Sequence, residues 1–192
     1  MSTRHFLFIV SSARVPGALG NTEWLAREAA RHLPDGATAR WIHLNGLDLA
    51  DFEDRRHDIG TYPLPTGDTL RLLDATLEAT DLVFVTPLYW YSFPNRLKRY
   101  LDHWSAWMRI DGVDFKGRMP GKRVWAITTS GNREKTQPMF DSLRLCAEFL
   151  AMAWQPPLWG QGGAPGAVEK DAVAIAAAAN YFGASDSPQA VA

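Results

Sequence analysis

A chain of 192 residues, with 46% hydrophobic and 21% charged side chains, has the composition of one globular domain with a substantial core. The formal net charge of -1 argues against a basic surface for nucleic acid, and the single cysteine, Cys146, excludes an internal disulfide or a cysteine-based metal cluster. No apolar run approaches the length of a membrane helix, and the first residues lack the pattern of a signal peptide, so we expect a cytoplasmic protein with no membrane partner.

The first predicted element is a strand that leads into a loop suited to an anion. Residues 6–10 form an apolar run with the length of a buried strand, and a helical pattern begins after the loop. Free N–H groups and the dipole at a helix start attract anions, and four loop side chains can donate hydrogen bonds to phosphate oxygens: Ser12, Arg14, Asn21 and Thr22. The loop therefore predicts a phosphate site, although neither G-x-G-x-x-G nor G-x-x-x-x-G-K-[ST] is present. The alternative is a polar turn in which Asn21 or Thr22 only caps the helix.

The next segments are a second strand at residues 37–44, a long loop at 45–66 and a helix that starts at Gly67 and Asp68. The loop is rich in turn formers and charge, and long loops in compact domains are often functional or mobile. Its acidic residues and His57 show no metal-ligand spacing, so we predict no metal site. The helix has an apolar face at Leu70, Leu73 and Leu77.

The third strand is predicted at residues 81–86, a short β-branched run that is typical of a strand buried on both faces. The aromatic segment PLYWYSFPN follows it directly. Ser92 is predicted to cap the next helix, with Pro94 in its first turn. The apolar face of this helix consists of Leu97, Leu101, Trp104 and Met108.

A fourth strand is predicted at residues 122–129, and a polar loop connects it to a helix whose apolar face includes Cys146. A cysteine on such a face is predicted to be a core residue rather than a nucleophile. A short fifth strand within WQPPLWGQGG is weakened by its prolines, and a last helix covers residues 168–182. With no domain linker in the sequence, we expect a single domain at 1–184 and a flexible C-terminal tail at 185–192.

The predicted strands alternate with helices, and this order favours a parallel sheet with helices on both faces. Ligands of such sheets bind beyond the carboxyl ends of the strands. There the loop after the first strand suits a phosphate, and the loop after the third strand offers aromatic faces. The loop after the fourth strand offers a serine, a glycine and an asparagine. A ligand with an anionic end and a flat aromatic end would use all three loops.

Three motifs lie in register between residue 5 and about residue 150: S-x-R…G-N-T from Ser12 to Thr22, P-x-Y…L-K-x-x-x-D from Pro87 to Asp102, and Ser130-Gly131. With these motifs the chain resembles the NAD(P)H-dependent FMN reductases of the flavodoxin-like superfamily, which include quinone and azo reductases. The resemblance implies a flavodoxin-like α/β fold. Its five-stranded parallel sheet would have the order 2-1-3-4-5, with helices on both faces.

The resemblance also implies where FMN binds. In the family the first loop holds the FMN phosphate, the second wraps the isoalloxazine ring largely through backbone N–H groups, and the third closes the other edge of the ring. This chain departs from the family pattern in having Ser11 and Tyr91 where glycine is frequent, and in a longer first loop. FMN is expected at Ser12, Arg14, Asn21, Thr22, Pro87, Leu88, Tyr89, Trp90, Tyr91, Ser130 and Gly131.

The activity implied by the resemblance is an oxidoreductase. FMN would accept a hydride at N5 from NAD(P)H and pass electrons to a quinone, another flat aromatic acceptor or free flavin. Because the cofactor carries this chemistry, we predict no strictly catalytic side chain. One alternative is a non-enzymatic electron-transfer flavodoxin; such carriers are usually strongly acidic, and the net charge of -1 counts against it. Another is a flavin-free regulatory or binding domain. The acceptor, the NADH or NADPH preference and the role of residues 45–66 stay open.

The aromatic residues of one segment bear on oligomeric state. Exposed aromatic clusters usually mark interfaces, and relatives within the resembled family are commonly dimers, so we predict a homodimer or homotetramer. The alternative is that the third helix buries its tryptophans in the core. The cluster consists of Trp90, Tyr91, Phe93, Trp104 and Trp107.

Overall fold

The computed structural model of the protein describes residues 3–15 and 17–183. Within these residues, six parallel strands form one central sheet. The strands are β1 (His5–Val10), β2 (Thr38–His43), β3 (Asp81–Val85), β4 (Arg123–Ser130), β5 (Ala153–Trp154) and β6 (Leu158–Gln161). The helices are α1 (Asn21–Ala30), α2 (Gly67–Glu78), α3 (Asn95–Trp107), α4 (Phe115–Arg118), α5 (Gln137–Phe149) and α6 (Ala172–Ala179).

The sheet confirms the expected order, β2-β1-β3-β4-β5, with β6 as an additional strand that also pairs with β4. The fifth strand of the sequence prediction is therefore divided into two. Pro156 and Pro157 lie between the two pieces, and proline has no N–H to donate to a ladder. The chain leaves β4 after Trp154 and pairs with it again from Leu158 onward.

Helices cover both faces of the sheet, as expected. Alternate residues of the central strand β3 point to opposite cores: Leu82 and Phe84 pack with α2, α3 and α5, whereas Val83 and Val85 pack with α1 and α6. Every residue of β3 is buried, which is the pattern of a parallel strand covered on both sides.

The tryptophans of α3 lie inside the protein. Trp104 is 5% and Trp107 1% exposed, and both pack against Tyr100 and Phe115. The expectation of one exposed aromatic cluster is therefore wrong for these two residues, because the apolar stripe of α3 turns them toward the sheet. Trp90 and its neighbours stay outside the core, and the oligomeric state stays a prediction.

Two helix starts differ from the sequence prediction. Ser92 does not cap α3; it exchanges two backbone hydrogen bonds with Tyr89, and α3 begins after Pro94. The last predicted helix is interrupted, since Asp171 accepts hydrogen bonds from the N–H groups of Gln161 and Ala174 and so starts α6 afresh. The predicted tail at 185–192 lies outside the described residues.

Within residues 3–15 and 17–183, no helix is long and apolar enough to cross a membrane. The same residues contain no group of three or more metal-ligating side chains. The cytoplasmic location remains a prediction.

Candidate functional site

The loops after β1, β3 and β4 meet at the carboxyl edge of the sheet and enclose two adjoining clefts. The first cleft has a volume of about 140 Å³, the second about 490 Å³, and both are lined by Leu88. Every residue that the sequence analysis assigned to FMN lines one of them. The first cleft is lined by Ser12, Arg14, Asn21, Thr22, Pro87, Leu88 and Tyr89. The second is lined by Leu88, Trp90, Tyr91, Ser130 and Gly131.

The floor of the first cleft is the N-terminus of α1. Gly20 is the N-cap residue and no side chain caps the helix, so its first N–H groups lack intrahelical partners. A Cβ at residue 20 would lie 3.1 Å from Nε of Arg14, so glycine allows the arginine side chain to lie against the helix start. The Arg14 guanidinium has no hydrogen bond or ion pair within the described part of the chain. A free cation beside free helical N–H groups is suited to a phosphate.

Two hydroxyl groups near this helix start can also donate to an anion. Ser12 Oγ accepts a hydrogen bond from the N–H of Arg14 at 3.3 Å, so its own proton is available. Thr22 Oγ1 pairs with Thr129 Oγ1 at 2.7 Å, and one proton of that pair is available. Thr129 was not predicted from the sequence, because its place opposite Thr22 depends on packing between β4 and α1.

Asn21 contacts a part of the chain that the sequence analysis did not include. Its Nδ2 donates to the carbonyl oxygen of Ala164 at 2.9 Å, and its Oδ1 is buried without a hydrogen-bond partner in the described residues. One of its N–H donors therefore binds the loop after β6 rather than a ligand. Gly163 of that loop lines the first cleft. The glycine run GQGG after a strand was the available sequence signal for this wall.

A carboxylate also lines the first cleft. Glu23 is 8% exposed and would repel a phosphate if its charge were unpaired. Its Oε1 accepts hydrogen bonds from Arg27 Nε and Nη2, at 3.0 and 2.6 Å, and lies 3.0 Å from His43 Nε2. The spacing of Glu23 and Arg27, four residues apart on α1, is visible in the sequence, whereas His43 is contributed by β2. These contacts offset the carboxylate charge beside the phosphate-binding helix start.

The aromatic turn between the clefts has an unusual backbone. Tyr89 and Ser92 exchange hydrogen bonds of 2.9 and 3.0 Å, and Trp90 and Tyr91 between them have φ angles of 50° and 64°. Two positive φ angles at the centre of a two-residue loop define a type I′ turn, which favours glycine or asparagine. The frequent glycine of the family pattern at position 91 is explained by this geometry. A residue other than glycine in this left-handed conformation costs roughly 1–3 kcal/mol, and such strained residues cluster at functional sites.

The turn leaves hydrogen-bond donors and an aromatic surface at the second cleft. The backbone N–H groups of Trp90 and Tyr91 have no partner among the described residues. The Trp90 side chain is 93% exposed. The turn can therefore donate backbone hydrogen bonds to a flat ligand while its indole stays in solvent.

The loop after β4 is held by β6. The Ser130 hydroxyl donates to the carbonyl oxygen of Asn132 and accepts from Trp159 Nε1, both at 2.8 Å. A Cβ at Gly162 would lie 2.8 Å from the backbone nitrogen of Ser130, so only glycine permits this approach. Because the Ser130 hydroxyl already donates one hydrogen bond and accepts another, residues 130–131 present their backbone rather than the Ser130 side chain to a ligand.

Comparison with known proteins supports the same architecture. YwqN of Bacillus subtilis (strain 168), provisionally named an NAD(P)H-dependent FMN-containing oxidoreductase, is 29% identical over 170 residues, which cover 87% of this chain and 92% of that protein. FMN-dependent NADH:quinone oxidoreductase 2 of Pseudomonas fluorescens (strain Pf0-1) is 28% identical over 144 residues, 65% of this chain and 69% of that protein.

Among solved structures, the Trp repressor binding protein from Bacillus subtilis superposes with a TM-score of 0.71 at 25% identity, over 94% of this chain and 99% of that one. The family model described as flavodoxin-like fold matches residues 4–184. The match includes β1 to β6 and all the helices between them. The protein therefore belongs to the flavodoxin-like fold family.

Proposed function

We propose that the protein is an FMN-dependent NAD(P)H oxidoreductase that passes electrons to a small flat acceptor, such as a quinone or free flavin. The observation that carries the proposal is the pair of adjoining clefts, one built for an anion and one bordered by an aromatic turn. The names of YwqN and of the Pseudomonas quinone oxidoreductase support FMN and a nicotinamide as the redox partners.

The donors of the first cleft fit the phosphate of FMN. Three groups surround this small cleft. The N-terminus of α1 contributes its helix dipole, the Ser12 hydroxyl is a neutral hydrogen-bond donor, and the Arg14 guanidinium contributes a positive charge. The second cleft fits the ring, since its volume of about 490 Å³ lies in the range of roughly 300–1,000 Å³ found for small-molecule sites. Leu88 would lie where phosphate and ring portions join.

When bound, FMN supplies the hydride and electron chemistry. The residues of the chain bind and orient it. The second cleft contains Lys135 and Tyr91 as its ionisable side chains, and neither is paired with another titratable group of the cleft within the described residues. That no side chain is strictly catalytic stays a prediction.

A direct test starts from purified protein incubated with FMN and dialysed. We expect yellow protein that oxidises NADH or NADPH in the presence of a quinone, with Arg14→Ala as a variant that loses FMN. Colourless protein that takes up no flavin would contradict the proposal. Flavin-loaded protein that neither nicotinamide can bleach would instead support an electron carrier of the flavodoxin type. A panel of quinones, azo compounds and flavins would identify the acceptor.

A further inference from the structure

The described part of the first loop, residues 12–15 and 17–19, has few hydrogen bonds that hold it in place. Its internal contacts include Ala18 N to Val15 O and Arg14 N to Ser12 Oγ. Among the described residues of this loop, a single hydrogen bond joins the loop to another element of the fold. Asn45 Nδ2 donates to the carbonyl oxygen of Arg14 at 2.8 Å.

Asn45 lies outside the three loops of the site, in a 3₁₀ turn directly after β2, Leu44–Gly46. This turn is itself held from α3. Arg96 Nη1 donates to the carbonyl oxygens of Leu44 and Leu47, both at 3.2 Å, so its guanidinium binds the chain on either side of Asn45. Leu44 is fully buried. Asn45 therefore lies in a turn that is anchored to α3 by Arg96 and to the core by Leu44.

The anchoring by α3 continues along the same segment. Arg99 Nη1 donates to Leu49 O at 2.7 Å, and His103 Nε2 lies 2.9 Å from Ala50 O. Residues 96, 99 and 103 follow the helical repeat and share one face of α3. The start of the long 45–66 loop is thus fixed to a helix of the core, which gives that part of the loop a structural role.

We propose that Asn45 is a positioning residue for the phosphate of FMN. It holds the backbone of Arg14 so that the arginine side chain stays against Gly20 and the start of α1, where the phosphate would bind. Ordering a flexible cationic side chain on binding costs conformational entropy, and a backbone fixed in advance reduces that cost. This inference rests on the proposed FMN function.

The test compares FMN with riboflavin, which has the same ring and no phosphate. Asn45→Ala removes one neutral hydrogen bond and should weaken FMN binding by roughly threefold to tenfold. Riboflavin affinity should be unchanged, because the ring cleft is not touched. Asn180→Ala is the matched control: its amide also donates to a backbone carbonyl, that of Ala176, on α6. This control should leave both affinities unchanged.

A double-mutant cycle with Arg14→Ala separates positioning from a general structural effect. If Asn45 acts through Arg14, then Asn45→Ala should cause no further loss of FMN affinity in the Arg14→Ala background. Circular dichroism and thermal unfolding of each apo variant establish that the fold is retained.

The outcomes distinguish this inference from the proposed function. Wild-type protein that binds neither flavin would overturn both. If the wild type binds FMN, the proposed function stands, and three results would overturn the role of Asn45: unchanged FMN affinity in Asn45→Ala, equal losses for FMN and riboflavin, or losses that add fully to those of Arg14→Ala.

Discussion

The side-chain amide of Asn21 donates a hydrogen bond to the carbonyl oxygen of Ala164, 2.9 Å away and 143 residues distant in sequence. This bond joins the first turn of α1 to the loop after β6. It gives Asn21 a structural contact that Arg14, whose guanidinium has no partner in the described residues, does not have. The two residues line the same cleft, yet their substitution should have different consequences.

Arg14→Ala and Asn21→Ala should each weaken FMN binding, and only the second should destabilise the apo protein. Loss of the Arg14 charge removes a charge-assisted hydrogen bond worth about 1.5–3 kcal/mol, which is about tenfold or more in affinity. Asn21→Ala should in addition lower the apo free energy of unfolding by about 1 kcal/mol. Isothermal titration measures the first effect and urea unfolding the second. Unchanged FMN affinity in both variants would show that the first cleft is not the phosphate site.

Trp159→Phe should loosen the ring end of the site. The substitution removes the indole N–H that donates to Ser130 Oγ, while the backbone bond from Gly162 to Ser130 remains, so the loop after β4 is loosened but not released. We expect FMN and riboflavin to lose affinity by the same factor, roughly twofold to tenfold. Trp154→Phe is a suitable control, since its indole N–H has no hydrogen bond among the described residues. A loss confined to FMN would place Ser130 at the phosphate instead.

Asp81 should make stability depend on acid pH. Its side chain is fully buried at the amino ends of the strands. Burial alone would raise its pKa, but hydrogen bonds from Arg4, Thr80 and Trp125 outweigh that effect and hold the pKa below its usual range. A carboxyl with a lowered folded-state pKa stabilises the protein above its unfolded pKa of 3.8 and loses that contribution as the pH falls through the folded pKa.

The free energy of unfolding should therefore decrease from pH 5 toward pH 3. Asp81→Asn should reduce this slope and should cost about 1.5–3 kcal/mol at neutral pH, because it removes the buried carboxylate that accepts charge-assisted hydrogen bonds from the partly buried Arg4 guanidinium. Urea unfolding over this pH range measures both effects. An equal slope in wild type and variant would assign the acid sensitivity to other carboxyl groups.

The kinetics should follow a ping-pong scheme. A nicotinamide and an acceptor both require the exposed face of one flavin ring, and two flat molecules cannot occupy that face together. NAD(P)+ should therefore leave before the acceptor binds. Parallel double-reciprocal lines and competition between NAD(P)H and acceptor at high concentration are expected, and anaerobic NAD(P)H alone should bleach the flavin. Intersecting lines would demonstrate a ternary complex and exclude a shared face.

The protein should form a homodimer or a larger oligomer. With Trp104 and Trp107 buried, the remaining motivation is the aromatic turn, where Trp90 is 93% and Tyr91 52% exposed. Such surface usually contacts another chain or a ligand. Light scattering at micromolar concentration should give at least twice the monomer mass of 21.4 kDa, and Trp90→Ser should promote dissociation. A mass near 21.4 kDa would contradict the prediction.

The sequence alone determined the order of the first four strands and identified most of the residues that line the candidate site. Apolar runs such as residues 6–10 and 81–86 identify buried strands because strand and helix periodicities are local properties. The polar loop at Ser12 and Arg14 was recognisable for the same reason, since the donors and the helix start lie within ten residues of each other. Parallel connectivity then placed the three loops at one edge of the sheet.

Only the tertiary structure decided which distant groups meet. Periodicity shows that one face of α3 is apolar, but not that the sheet covers Trp104 and Trp107 while Trp90 stays in solvent. Likewise, no local pattern pairs Asn21 with Ala164, Glu23 with His43, or Asn45 with Arg14. These contacts arise because the sheet order brings β2 and β6 to opposite sides of α1. The residue that each of these side chains contacts therefore depends on the packed fold rather than on its neighbours in the chain.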